Sequence, residues 1–196
     1  MAIDIKLVTQ LREMTGAGIM DARNILQEVD GDLDKAVEEL RKRGIVKAAK
    51  KANRETHEGL VRTYIHANGK LGSLVEVLCE TDFVAHTEIF QTLCDDLALH
   101  VSACDPLYIT REQVPQELID KELEIIKAEL ASQNKPAEVI EKISEGKLNK
   151  YFSEIVLVEQ SYIKDDSKTV GDFIKEKIAI IGENIQVSRI SRFHIA

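Results

Sequence analysis

Candidate chemistry begins with the histidines and cysteines. His57, His66, His86, His100 and His194 form no HxxxH or HExxH pair, so none has the local spacing that metal ligation uses. Cys79, Cys94 and Cys104 are odd in number, far apart and without a CxxC, which argues against a zinc site or disulfide framework. They read as reduced, mostly buried thiols. Cys79 and His86 flank a strand-to-helix turn, and a thiol beside an imidazole base would be a nucleophile. No oxyanion hole or orienting carboxylate is identifiable around them, so packing is the preferred account of both. Phosphate cradles fare no better. Gly16-Ala17-Gly18 follows a helix and runs into Asp21, where a dinucleotide fingerprint requires glycine; Gly69-Lys70 lacks the upstream glycine and downstream hydroxyl of a P-loop. No cofactor, metal or directly bound nucleotide is expected.

Side chains suited to binding a partner are easier to find. Met20 is one helical step, about 100°, from Ile19, and is thereby turned away from the apolar stripe Ile19, Ala22, Leu26 and Val29. A flexible thioether held in water suits a contact surface, although single exposed apolar residues are ordinary. Arg12 lies on the flank of the preceding helix and can reach the same surface. In Cys79-Glu80-Thr81-Asp82-Phe83-Val84-Ala85-His86, Thr81 or Asp82 can cap the following helix, and an acid in the first turn complements its dipole. Helical spacing sets Phe83 beside Phe90 and favours core packing for it. A phenylalanine projecting from a first turn is also a good interfacial wedge.

Charge narrows the partner class. The 196 residues carry 34 Asp and Glu against 26 Lys and Arg, a net charge of −8, with 5% aromatic residues and no Trp. Nucleic-acid binding needs clustered cations and stacking platforms, and this balance argues against it. The exception is Arg41 to Arg54, basic and free of acids, which reads as a solvated helix and linker because no aromatic residue interleaves its charges. No stretch approaches the roughly 18 apolar residues of a spanning helix, and the first residues lack the apolar run of a signal peptide, so the cytoplasm is the expected compartment.

The elements that must position these side chains follow from periodicity. Ile5, Val8 and Leu11 form a first helical stripe, broken by Thr15-Gly16-Ala17-Gly18. The second stripe ends at Asp30-Gly31-Asp32, and Leu33, Ala36, Val37 and Leu40 form a third. Residues 60–65 and 74–78 read as strands joined through Asn68-Gly69, with the register open. A helix carrying Phe83, Phe90, Cys94, Leu97 and Val101 ends at Asp105-Pro106. Helix is expected again from about Val114 to Asn134, then from Pro136 to about Gly146 and on through Phe152. Thr169 reads as the N-cap of a helix holding Phe173, Ile174 and Ile178 that closes at Gly182, and Asn184 to Ile190 as a strand reaching towards Phe193. The fold class is α+β: a three-helix module with basic linker over 1–54, then a core over 55–196 built from a small antiparallel sheet packed with helices.

Three segments carry a family resemblance. Leu11 to Asp21 (LREMTGAGIMD), Val75 to Ala85 (VEVLCETDFVA), and Leu157-Val158-Glu159-Gln160 with Lys168-Thr169-Val170-Gly171 resemble, in order, segments of the bacterial elongation factor Ts family. Leu78 stands where that family usually has Asn, and His86 where Lys or Arg is common. The resemblance implies a guanine-nucleotide exchange factor that binds elongation factor Tu in its GDP-bound and nucleotide-free forms, and which makes and breaks no covalent bond. It implies that the N-terminal module is ubiquitin-associated-like and contacts the partner through Arg12, Ile19 and Met20. It further implies that Thr81, Asp82, Phe83 and Val84 intrude near the partner's magnesium site, Asp82 and Phe83 foremost. Because short members of that family are expected to pair, the resemblance also implies a homodimer. The alternative from another class is an adaptor whose N-terminal module captures a peptide or ubiquitin-like protein. An RNA-binding accessory factor using Arg41 to Arg54, and a cysteine hydrolase using Cys79 and His86, are the remaining readings.

Overall fold

The computed structural model describes residues 4–131 and 136–195, a mixture of helices with small antiparallel sheets. The chain divides into two compact units. The first comprises residues up to 60, 77–93 and 172–186; the second comprises 61–76, 94–171 and residues from 187 onward.

In the first unit, helix α1 (Ile5–Thr15) starts where the Asp4 carboxylate accepts from the Lys6 N–H, and it ends at Gly16. Gly16 takes φ 68°, a left-handed conformation open to glycine at little cost, and its N–H closes on the Arg12 carbonyl at 2.7 Å. Helix α2 (Ile19–Glu28) follows, then a turn through Asp30 and Gly31, and helix α3 (Leu33–Ala49) capped by Asp32. Val8, Leu11, Ala22, Ile25, Leu26 and Ala36 form the shared core of these helices. The expected stripe on α2 is therefore corrected. Ile25 belongs to it, while Ile19 is 57% exposed. Ile5 is exposed as well, and the two share a cause: each is the first residue of its helix, and helical side chains lean towards the N-terminus, beyond the helices that would cover them.

The basic segment also differs from a solvated linker. Helix α3 continues unbroken to Ala49 and buries Gly44 and Ala48. Helix α8 (Val170–Ile181) lies against it, and a Cβ added to Gly44 would meet the Ala179 Cβ at 3.4 Å. Cations that look unopposed in the sequence are answered in space: Arg41 by Asp172 at 3.0 Å, Lys47 by Asp21 at 2.9 Å, Lys42 by Glu38 at 2.8 Å, and Arg43 by Glu28 and Glu39.

Strands β1 (Glu58–Ile65), β2 (Leu71–Cys79) and β5 (Ile185–His194) form one sheet in the order β1-β2-β5. The β1–β2 connection is wider than a two-residue turn. The His66 N–H donates to the Leu71 carbonyl at 2.8 Å and the Gly69 N–H to the His66 carbonyl at 2.8 Å. A short helix α4 (Asp82–Ala85) and the long α5 (Glu88–Cys104) follow β2. Asp105, at φ 51°, ends α5 as expected.

In the second unit, helices α6 (Gln116–Ala131) and α7 (Ala137–Ile155) pair, with Lys147 and Glu129 bonded across them at 2.5 Å. Val114, Phe152 and Val156 anchor their apolar contact. Gly146 does not interrupt α7, and the expected end of the preceding helix at Asn134 lies outside the described residues. The short antiparallel pair β3 (Ser161–Tyr162) and β4 (Asp165–Thr169) is absent from the sequence reading. Its Asp165-Asp166-Ser167 run is polar on both sides and gives no alternation to detect.

Candidate functional site

The turn between β2 and α5 is built by two threonines in series. Thr81 is extended (φ −131°, ψ 154°) and its Oγ1 accepts from the Val84 N–H at 3.4 Å, so it caps α4. Five residues after α4 begins, Thr87 repeats the device: its Oγ1 donates to the Val84 carbonyl at 2.7 Å and accepts from the Phe90 N–H at 3.3 Å. The chain therefore changes direction between Phe83 and Phe90. Phe90 is wholly buried, whereas Phe83 is 83% exposed on the first turn of α4. Core packing for Phe83, favoured by its spacing, is overturned because the two rings do not share a helix. Asp82 is exposed beside it, Thr81 and Val84 are half-buried, and Ala85 is buried beneath them.

A carboxylate from outside the motif holds this turn. Glu183 Oε2 accepts from the backbone N–H groups of Glu80 (3.1 Å) and Thr81 (3.0 Å), and Oε1 accepts from Thr81 Oγ1 at 2.7 Å. Glu80 reciprocates by accepting from the Asn184 N–H at 2.6 Å, while Arg54 donates to the same carboxylate at 3.3 Å. Asn184 Nδ2 in turn donates to the carbonyls of Arg54 (2.8 Å) and Ala52 (3.3 Å). Sequence reasoning missed Glu80, Glu183 and Asn184. The pairing spans about a hundred residues of chain, and no local spacing announces it.

The thiol–imidazole pair does not assemble. Cys79 Sγ donates to the Thr81 carbonyl at 3.2 Å, and burial, reinforced by nearby Glu183, pushes its pKa up to about 11. The His86 ring bonds the Asp82 carbonyl through Nδ1 at 2.7 Å. A protonated thiol tied to a backbone carbonyl is a packing residue, not a nucleophile.

The second group of sequence-selected residues surrounds the α1–α2 turn. Arg12 Nε donates to the Ala17 carbonyl at 3.2 Å, which fixes the guanidinium over the turn. Gly16 packs towards Ile180 of α8, whose Cδ1 would stand 3.1 Å from an added Cβ. Beyond Gly18, Ile19 and Met20 are both exposed, Met20 at 64%. The spacing argument for Met20 holds, and Ile19 joins it in water. Among the described residues no group of three or more His, Cys, Asp or Glu is gathered to hold a metal ion, and no helix is long and apolar enough to cross a membrane.

Comparison with known proteins bears on what this arrangement serves. A family model described as elongation factor TS matches residues 6–195. The elongation factor Ts of Thermosipho melanesiensis is 56% identical over 193 residues, covering 98% of each chain. That of Fervidobacterium nodosum is 52% identical over 195 residues, covering 100% of this chain and 99% of its own. That of Geobacter sulfurreducens is 50% identical over 98% of this chain and 89% of its own. With a match along almost every residue and relatives of equal extent, the chain belongs to the elongation factor Ts family of translation elongation factors.

Proposed function

We propose that this protein is a guanine-nucleotide exchange factor for elongation factor Tu, and that it works as a binding factor and not as an enzyme. The observation that carries the reading is Phe83: a large ring held out in water at the tip of a capped turn that is bonded firmly at its base. Exposing a phenylalanine to this degree gains nothing for the isolated fold, and a partner pocket would make use of it.

The mechanism is linkage. GDP on the partner is held partly by a magnesium ion bridging phosphate and protein oxygens, so displacing that coordination weakens the nucleotide. A factor that binds the nucleotide-free partner more tightly than the GDP form lowers GDP affinity by the same ratio. A ratio of about 10⁴ requires roughly 5.5 kcal/mol of differential binding. In this reading Thr81, Asp82, Phe83 and Val84 intrude at the magnesium and phosphate site. Arg12, Ile19 and Met20 form a second contact at the α1–α2 turn, on a ubiquitin-associated-like module spanning residues 1–54 that serves the core domain 55–196.

The same reading includes a homodimer in the cytoplasm. It is supported by the exposure of Ile65, Leu74 and Phe193, which with Thr63 and Ile195 line a shallow apolar groove at the hairpin end of the sheet. A light-scattering mass of twice the 22.0 kDa chain supports the dimer, and a monomer mass contradicts it.

A second reading rests on the exposed Ile19 and Met20: an adaptor that captures a peptide or ubiquitin-like protein at the α1–α2 turn. Binding to elongation factor Tu by the intact chain separates the two. The exchange reading requires Phe83 and the adaptor reading is indifferent to it.

A further inference from the structure

We infer that Glu183 is the positioning residue for the intruding turn: its carboxylate fixes the orientation in which Phe83 is presented. The inference rests on the exchange reading and extends it to a residue outside the turn itself. Three donors converge on this one side chain, two of them the successive backbone N–H groups that lead into α4 and the third the hydroxyl that caps it. Hydrogen bonds to an ionised acceptor are shorter and stronger than neutral ones, so the carboxylate anchors the turn more firmly than the turn anchors itself.

The Thr81 hydroxyl shows how position is transmitted. Its proton is committed to Glu183 Oε1 at 2.7 Å, which leaves a lone pair of the same oxygen for the Val84 N–H at 3.4 Å. Glu183 thus sets the rotor that caps α4, and α4 carries Phe83 on its first turn. The reciprocal bond from the Asn184 N–H to Glu80 at 2.6 Å means that Glu80–Thr81 and the two residues after Gly182 hold each other. The turn is consequently ordered before any partner arrives, and a preordered loop avoids an entropic cost that a loose one would meet on insertion.

The test is a double-mutant cycle in the full-length chain, read by fluorescent GDP release from elongation factor Tu. Glu183→Gln keeps the size of the side chain and replaces one acceptor oxygen with a donor, so that either the Glu80 and Thr81 N–H groups or the Thr81 hydroxyl proton loses its acceptor. It is expected to slow factor-stimulated release about tenfold. In the Phe83→Ala background the same change should alter release by less than about twofold, because Glu183 acts through the ring. A residue that merely supports the fold would impose its full effect in both backgrounds, and that additivity overturns the inference, as does wild-type release by Glu183→Gln alone. A wild-type rate for Phe83→Ala would instead remove the wedge role of the ring, and this inference with it, whereas release at the intrinsic rate with the wild-type chain would overturn the exchange reading. Amide hydrogen exchange without any partner tests the clamp separately. The Glu80 and Thr81 amides should exchange at least about tenfold faster in Glu183→Gln while those in the middle of α5 keep their protection; unchanged Glu80 and Thr81 amides overturn the inference.

Discussion

His100 donates its Nε2–H to Gln160 Oε1 at 2.9 Å inside the second unit, and the bond fixes the neutral tautomer of a wholly buried imidazole. The other ring nitrogen accepts from the Ile163 N–H at 3.3 Å, with Cys104 Sγ at 3.8 Å. Gln160 turns its amide to the carbonyls of Cys104 (3.2 Å) and Glu154 (2.7 Å), and Tyr162, bonded to Asp96 at 2.9 Å, stands beside the ring. The β3–β4 pair is thereby tied to α5 through His100 and Asp96.

A pH dependence follows from that bond. Burial holds the His100 pKa below its ordinary value of 6.5, against the smaller opposing effect of Gln160. The unfolded chain therefore binds the proton more readily, and this contribution to stability is complete above about pH 6.5 and lost as pH falls towards the depressed folded value. Denaturant midpoints from pH 8 to 5 should fall more steeply for the wild type than for His100→Gln. An NMR titration should find the imidazole half-protonated only below the ordinary value of 6.5, and a midpoint at or above it would contradict the placement.

Phe83→Ala is expected to leave the thermal melt within a few degrees of wild type, since the ring is in water. Stimulated GDP release should slow on the order of thirtyfold, the equivalent of about 2 kcal/mol at an interface hot spot. Stopped-flow release at wild-type speed from a folded variant removes the wedge role.

Met20→Ala should likewise preserve the melt of α1–α3 while weakening the complex with elongation factor Tu about tenfold, a typical cost for an interfacial anchor. Titration calorimetry measures the second effect and circular dichroism the first. Loss of helix on substitution would make Met20 a core residue after all.

Gly59 offers a test of the sheet itself. It sits at φ 154°, and an added Cβ would lie 2.8 Å from the Leu78 Cα and closer still to the Val77 carbonyl. Gly59→Ala should cost about 3 kcal/mol in urea unfolding, within the range for backbone strain combined with overpacking. Gly69→Ala faces open space, so its left-handed φ of 67° should cost only about 1 kcal/mol. Equal costs at the two sites would contradict the close approach of β1 to β2.

Local chemistry made most elements legible before any coordinates. Gly16, Asp32, Asp105 and Gly182 end or start helices where their backbone preferences predict, because caps and left-handed positions act within one turn of chain. The apolar side chains of α5 from Phe90 to Val101 read correctly for the same reason: one uninterrupted helix carries them. Errors cluster where an element is interrupted or begins. Phe83 was separated from Phe90 by a second threonine cap, and Ile19 fell on a helix start that no neighbour covers. Glu183 was illegible for a different reason. Its partners are joined to it only by the fold, and an isolated glutamate in sequence has no period, spacing or motif to distinguish it.

The central claim is that the Thr81–Val84 turn loosens the grip of another protein on its nucleotide. The most direct measurement is the rate at which fluorescent GDP leaves elongation factor Tu with and without this chain at saturating concentration. The account predicts that the wild-type chain accelerates release by orders of magnitude and that Phe83→Ala does so far less. Release at the intrinsic rate in the presence of a folded, bound wild-type chain would contradict it.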